Sequence, residues 1–180
     1  MSRIWKLPVV IPEKVEAKID GNKVMVKWPL WELNFEFKSD SVSVVMEDNS
    51  LVVTPNSSDD NKFWWTTRSI LNNMVEGVVT WFTKSLEINW VWYKFEVQGN
   101  KLVLSIGFSH KVDMDIPTSL KITADDKLKN TIHITWIDKQ LVWEFAAKIR
   151  SKKKPEPYKG KWIKYVWEHI IRKAWKTGAK

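Results

Sequence analysis

The 180-residue chain carries 29 Lys and Arg against 21 Asp and Glu, a formal charge of +8, and no cysteine. That excludes a disulfide framework, a thiolate zinc site and a cysteine nucleophile. No apolar run approaches the roughly 18 residues of a membrane span, and the start, Met1 to Pro8, lacks the apolar centre of a signal peptide, so a cytosolic protein is expected. Six glycines, about half the usual share, stand beside thirteen tryptophans.

In chain order, period-2 alternation comes first, the mark of strands with one buried face. Val24 and Val26, then Leu33, Phe35 and Phe37, then Val42, Val44 and Met46, then Leu51 and Val53 alternate with polar residues. Asp20-Gly21-Asn22-Lys23 separates two alternating runs and predicts a hairpin turn. The polar stretch from Pro55 to Asn61 is a loop, and Ile70, Leu71, Met74, Val75 and Val78 then form the stripe of an amphipathic helix.

The pattern starts again after residue 90. Tyr93, Phe95 and Val97, then Leu102, Leu104 and Ile106, then Val112, Met114 and Ile116, then Leu120 and Ile122, then Ile132 and Ile134 alternate. Gln98-Gly99-Asn100-Lys101 repeats the first turn, and Leu141, Val142, Phe145, Ala146 and Ile149 repeat the helical stripe. Val42 corresponds to Leu120 and Leu51 to Ile132, with extra residues in the Asp125–Asn130 turn. The expected fold is α+β: two tandem duplicated domains, each an antiparallel-rich sheet of two hairpins with one packed helix. Residues 1–82 form the first repeat, 83–150 the second, and 151–180 a basic, proline-broken arm attached to the second domain and expected to be extended.

Charge is concentrated in that arm. Residues 148–180 hold twelve Lys and Arg and only Glu156 and Glu168, while residues 1–147 hold 17 basic and 19 acidic residues. A lysine or arginine on a phosphate releases condensed counterions, so such a segment favours a polyanion. The expected RNA-binding residues are Lys152, Lys153, Lys154, Tyr158, Lys159, Gly160, Lys161, Lys164, Arg172, Lys173, Lys176 and Lys180, with weaker support for Arg3, Lys6 and Arg68. The cations would neutralise phosphates, Tyr158 would stack on a base or pack inward, and Gly160 would allow close approach to the backbone.

Catalytic chemistry is not expected. His110, His133 and His169 have no ligand spacing. Asp113 and Asp115 alternate along a strand, and Asp125 and Asp126 lie in a turn. No glycine-rich loop could cradle a phosphate. The chain therefore reads as a non-enzyme with no cofactor, no metal and no small-molecule substrate.

Several blocks, in order from end to end, resemble the bacterial ribosomal protein L-six family. The strongest is Pro155-Glu156-Pro157-Tyr158-Lys159-Gly160-Lys161, followed by Trp162-Ile163-Lys164-Tyr165. Met1-Ser2-Arg3-Ile4, Thr66-Thr67-Arg68-Ser69, Asn73 to Val78, Asp138-Lys139-Gln140, Arg172-Lys173-Ala174 and Lys176-Thr177-Gly178 also match. The resemblance implies a cytoplasmic, structural rRNA-binding protein of the large ribosomal subunit. It implies a place near the base of the factor-binding stalk and the sarcin–ricin loop, with neighbouring ribosomal proteins and translation factors close by and no membrane.

The departures from that family pattern are systematic. At Trp5, Trp28, Trp31, Trp65, Trp81, Trp90, Trp92, Trp136, Trp143, Trp162, Trp167 and Trp175 the family has, or commonly has, glycine. Glycine at a turn supplies positive φ or close backbone approach, and tryptophan does neither cheaply. UGA is read as Trp in some genetic codes and as Gly in others, so a UGA glycine gene translated with the wrong table would give this sequence. The alternative takes the tryptophans literally, as a basic, Trp-rich module for single-stranded nucleic acid or a membrane surface. Such a module would cluster its rings on one face, whereas these are spread through both repeats.

Overall fold

The computed structural model describes residues 4–125 and 130–174, except for the side chain of Trp5. The chain divides into two compact units, Met1–Trp81 with Ile137–Lys139, and Phe82–Trp136 with Gln140–Lys180. The architecture is α+β with antiparallel pairing in every sheet.

The first unit contains β1 (Val9–Val10), β2 (Glu16–Asp20), β3 (Lys23–Trp28), β4 (Trp31–Glu36), β5 (Val42–Glu47), β6 (Ser50–Pro55) and α1 (Asn61–Val79). They make two three-stranded sheets, ordered β2-β3-β4 and β1-β6-β5. Gly21 turns β2 into β3 at φ +57°, a conformation an L side chain rarely takes. The alternating residues face inward: Val24, Val26, Val42, Leu51 and Val53 are buried with Leu71, Met74, Val75 and Val78 of α1. Trp28 and Trp31 sit opposite each other across the two-residue Pro29-Leu30 turn. No residue of that turn has positive φ.

The second unit repeats the plan. Its strands are β7 (Phe82–Asn89), β8 (Lys94–Gln98), β9 (Lys101–Ser105), β10 (Val112–Asp115), β11 (Lys121–Ala124) and β12 (Thr131–Trp136), followed by α2 (Lys139–Lys152) and β13 (Trp162–Tyr165). Gly99 turns β8 into β9 at φ +58°. The β10-β9-β8 sheet matches β4-β3-β2, and β11-β12-β7 matches β5-β6-β1. Residues 126–129, in the turn expected to be longer in this copy, lie outside the described residues. Val142, Phe145, Ala146 and Ile149 of α2 are buried with Leu86, Leu102, Leu104, Ile132 and Ile134, whereas Leu141 is exposed.

The structure departs from the sequence reading in three places. The second helix runs on to Lys152. The arm is not simply extended chain: Trp162–Tyr165 is a fourth strand, antiparallel to β7, with Ile163 opposite Ile88. Ile163 is fully buried in the unit's core. Alternation over four residues with a lysine in them is too short a signal to separate a strand from a loop. β7 escaped for a related reason. Phe82, Leu86 and Ile88 alternate inward, but Lys84 occupies the same phase between them.

Candidate nucleic-acid interface

The arm is held to the second unit by backbone hydrogen bonds. After α2, the Ile163 N–H donates to the Lys153 carbonyl at 3.2 Å, and the Val166 N–H donates to Ser85 of β7 at 3.2 Å. Between them the chain loops. The Glu156 N–H donates to the Lys161 carbonyl (3.1 Å) and the Gly160 N–H to the Glu156 carbonyl (2.9 Å). Gly160 is buried at φ +67°, so glycine is required by the backbone itself. Further on, the Lys173 N–H donates to the Pro157 carbonyl at 2.9 Å, tying the end of the described chain to that loop.

One ion pair anchors the turn after β13. The Arg150 guanidinium makes a two-point contact with the Glu168 carboxylate, with Nε 3.0 Å from Oε2 and an Nη2–Oε1 contact beside it. Glu168 Oε2 also accepts from the Tyr165 N–H at 3.2 Å. Burial alone would push the Glu168 carboxyl up. The hydrogen bonds from Arg150 and Tyr165, with the charges of Arg150 and Lys164, outweigh it and hold the carboxyl below its usual value. The same hydrogen bond raises Arg150 against the opposing effect of burial.

The expected binding residues fall into three groups. Lys152, Lys153, Lys154, Tyr158, Lys159, Gly160, Lys161, Lys164, Arg172 and Lys173 belong to the second unit. Of these, Lys152, Lys154, Tyr158, Lys159, Arg172 and Lys173 are exposed. Lys164 is partly covered and paired with Glu87 at 2.8 Å. Lys6 and Arg68 belong to the first unit, where the Arg68 Nε–H donates to the Leu7 carbonyl at 3.3 Å. Arg3, Lys176 and Lys180 lie outside the described residues.

Three lysines in the second unit lie over aromatic rings. Lys84 Nζ is 4.5 Å from the Trp143 ring, 4.9 Å from Tyr165 and 4.6 Å from Trp167. Lys153 Nζ is 4.4 Å from Phe108 and 4.8 Å from Trp162, and Lys161 Nζ is 3.2 Å from Trp90. Lys84 was not singled out by sequence, because one lysine within a strand carries no signal of its surroundings.

A concave notch of about 320 Å³ opens beside the arm, lined by Asn89, Gly160, Lys164, Glu168, His169 and Arg172 among others. Asn89 and His169 were missed by the sequence reading. They gather here only because β7 and the chain after β13 are neighbours. The remaining polar groups look structural. His133 Nδ1 and Ser85 Oγ share a hydrogen bond at 2.7 Å, and Asp113 and Asp115 point outward from β10. Among the described residues no cluster of three or more His, Asp or Glu has metal-binding geometry.

The profile of a family described as Ribosomal protein L6 matches residues 11–80 and 91–166. The large ribosomal subunit protein uL6 of Dictyoglomus thermophilum is 48% identical over 186 residues, covering all of both chains. The uL6 proteins of a Nitratiruptor species and of Carboxydothermus hydrogenoformans are 46% and 44% identical, covering all of this chain and 100% and 98% of theirs.

Proposed function

The chain belongs to the ribosomal protein L6 family, and from that footing we propose that it is a structural, non-enzymatic component of the large ribosomal subunit that binds rRNA through the arm of its second unit. The carrying observation is the set of exposed cations Lys152 at the end of α2, Lys154 and Lys159 in the loop before β13, and Arg172 and Lys173 after it, in chain held to a folded sheet by backbone hydrogen bonds. Pre-ordered cations lose little entropy on meeting phosphates, and recognition of folded RNA by shape needs a rigid presenting surface. The finer placement, close to the stalk base and the sarcin–ricin loop with translation factors docking nearby, follows the family resemblance. Binding of the full chain to large-subunit rRNA fragments tests it. Fragments containing the sarcin–ricin stem should bind more tightly than other large-subunit fragments at equal salt, and equal affinity for all would refute the placement.

We also propose that the twelve tryptophans at family glycine positions are glycines in the protein as made, encoded by UGA. Two of them support this directly. Trp92 has φ +70° and Trp162 φ +83°, and no other tryptophan among the described residues has positive φ. Such backbone costs on the order of 1–3 kcal/mol for a bulky L residue and nothing for glycine. Trp92 recovers none of this by burial, being 91% exposed. The rings of Trp90, Trp143, Trp162 and Trp167 also cover lysine ammoniums that a phosphate-binding surface would present. Intact mass of the protein from its own source decides the matter: a mass lower by twelve Trp-to-Gly differences is expected, and a mass retaining thirteen indoles would refute it.

A further inference from the structure

The notch between the arm loop and the chain after β13 has an uneven charge balance. Its carboxylate, Glu168, is taken up by Arg150 on both oxygens, and Lys164 is neutralised by Glu87 at 2.8 Å. Arg172 has no ion-pair partner among the described residues, and its guanidinium lies over Gly160. Its Nε is 3.5 Å and its Nη2 3.7 Å from where a Cβ at residue 160 would stand. The guanidinium thus packs beside Gly160, and Asn89 and His169 line the same notch. The notch, about 320 Å³, has ample room for a phosphate group, and its unpaired positive charge favours an anion.

We propose that this notch seats one backbone phosphate of the bound RNA, held by the Arg172 fork with Asn89 and His169 as further hydrogen-bond donors. The idea rests on the rRNA-binding reading above and makes it specific. A planar guanidinium matches two phosphate oxygens at once, which an ammonium does not. The arm lysines act on phosphates as point charges. Arg172 is therefore the one arm cation whose replacement by lysine is not conservative.

The test is binding of the full chain to a large-subunit rRNA fragment across a salt series. R172Q should lower affinity about tenfold and reduce the slope of log affinity against log salt by about one unit. R172K should keep the slope and still lose several-fold in affinity. N89A should weaken binding without changing the slope, and H169Q should weaken it as well. K148Q, on the exposed face of α2, should match the unsubstituted chain. Urea unfolding of R172K and R172Q monitors the fold, and an R172K stability equal to the parent removes unfolding as an explanation. An R172Q slope and affinity equal to the parent, with the parent binding normally, would overturn the phosphate seat. An R172K affinity equal to the parent would also overturn it. A parent chain with no salt-dependent rRNA binding would instead overturn the rRNA reading itself.

Discussion

The two units are copies of one plan that end differently. In the first, β1 is two residues long, forms one edge of its sheet, and leaves Val10 70% exposed. In the second, the equivalent β7 is eight residues long and pairs on both sides, with β12 and with β13. The arm thus completes a sheet that the first copy leaves at three strands. Ile163 carries this attachment into the core. The lesson is that the basic segment is not a tail hung on a finished domain. Part of it is needed to finish the domain, and this is how its cations gain a fixed geometry.

The largest effect should come from cutting that attachment. Ile163→Ala should destabilise the second unit by about 2–5 kcal/mol, the range for buried aliphatic truncation. Val10→Ala, on the exposed side of the first unit's edge strand, should stay within about 0.5 kcal/mol. Urea unfolding followed separately in the two units checks both, and equal losses would erase the distinction. For the same reason, deleting residues 151–180 would damage the fold as well as the binding, so charge substitution is the cleaner probe.

A smaller effect sits at the left-handed tryptophans, both in the second unit. Trp92→Gly should raise stability by about 1 kcal/mol, because strain is relieved and almost no burial is lost. Thermal unfolding measures it, and a decrease would count against the strain. Trp162→Gly should gain less, since its ring is partly buried.

Acid should act on the Arg150–Glu168 pair next. The Glu168 carboxyl is lowered in the folded chain, so its contribution is present above the ordinary carboxylate range and is lost as pH falls through the lowered value. Glu168→Gln should reduce stability at neutral pH and flatten the loss on acidification. A variant with the parent's acid profile would show that the pair does not contribute. The smallest effect is expected at Lys148→Gln. Its pairing with Glu144 one helical turn away is exposed, and its removal should cost about 0.3–0.5 kcal/mol by chemical denaturation.

Much of this was legible in the sequence, for identifiable reasons. The Gly-Asn turns, the alternating strands and the two helical stripes each follow a short-range period, and all appear in the structure. The α+β class and the repeat follow from them. β7 was hidden because Lys84 interrupts its pattern, and β13 because four residues are too short a run; Lys84 lies over aromatic rings and Lys164 pairs with Glu87, partners distant in sequence. The arm's charge was plain, but composition does not encode which cations are already neutralised. Among the described residues Lys164 has an ion-pair partner and Arg172 has none, and the notch that both line needs Asn89 from another strand.

The most direct test of the central claim compares the units by charge at constant fold. One variant replaces Lys154, Lys159, Lys161, Arg172 and Lys173 of the second unit with Gln, and another replaces Lys14, Lys18, Lys27, Lys38 and Lys62 of the first. Both lose five positive charges. Affinity for large-subunit rRNA across a salt series should collapse and its slope flatten in the arm variant, while the first-unit variant should bind nearly as the parent does. Equal losses in the two variants would contradict the account, since binding would then follow net charge and not the arm.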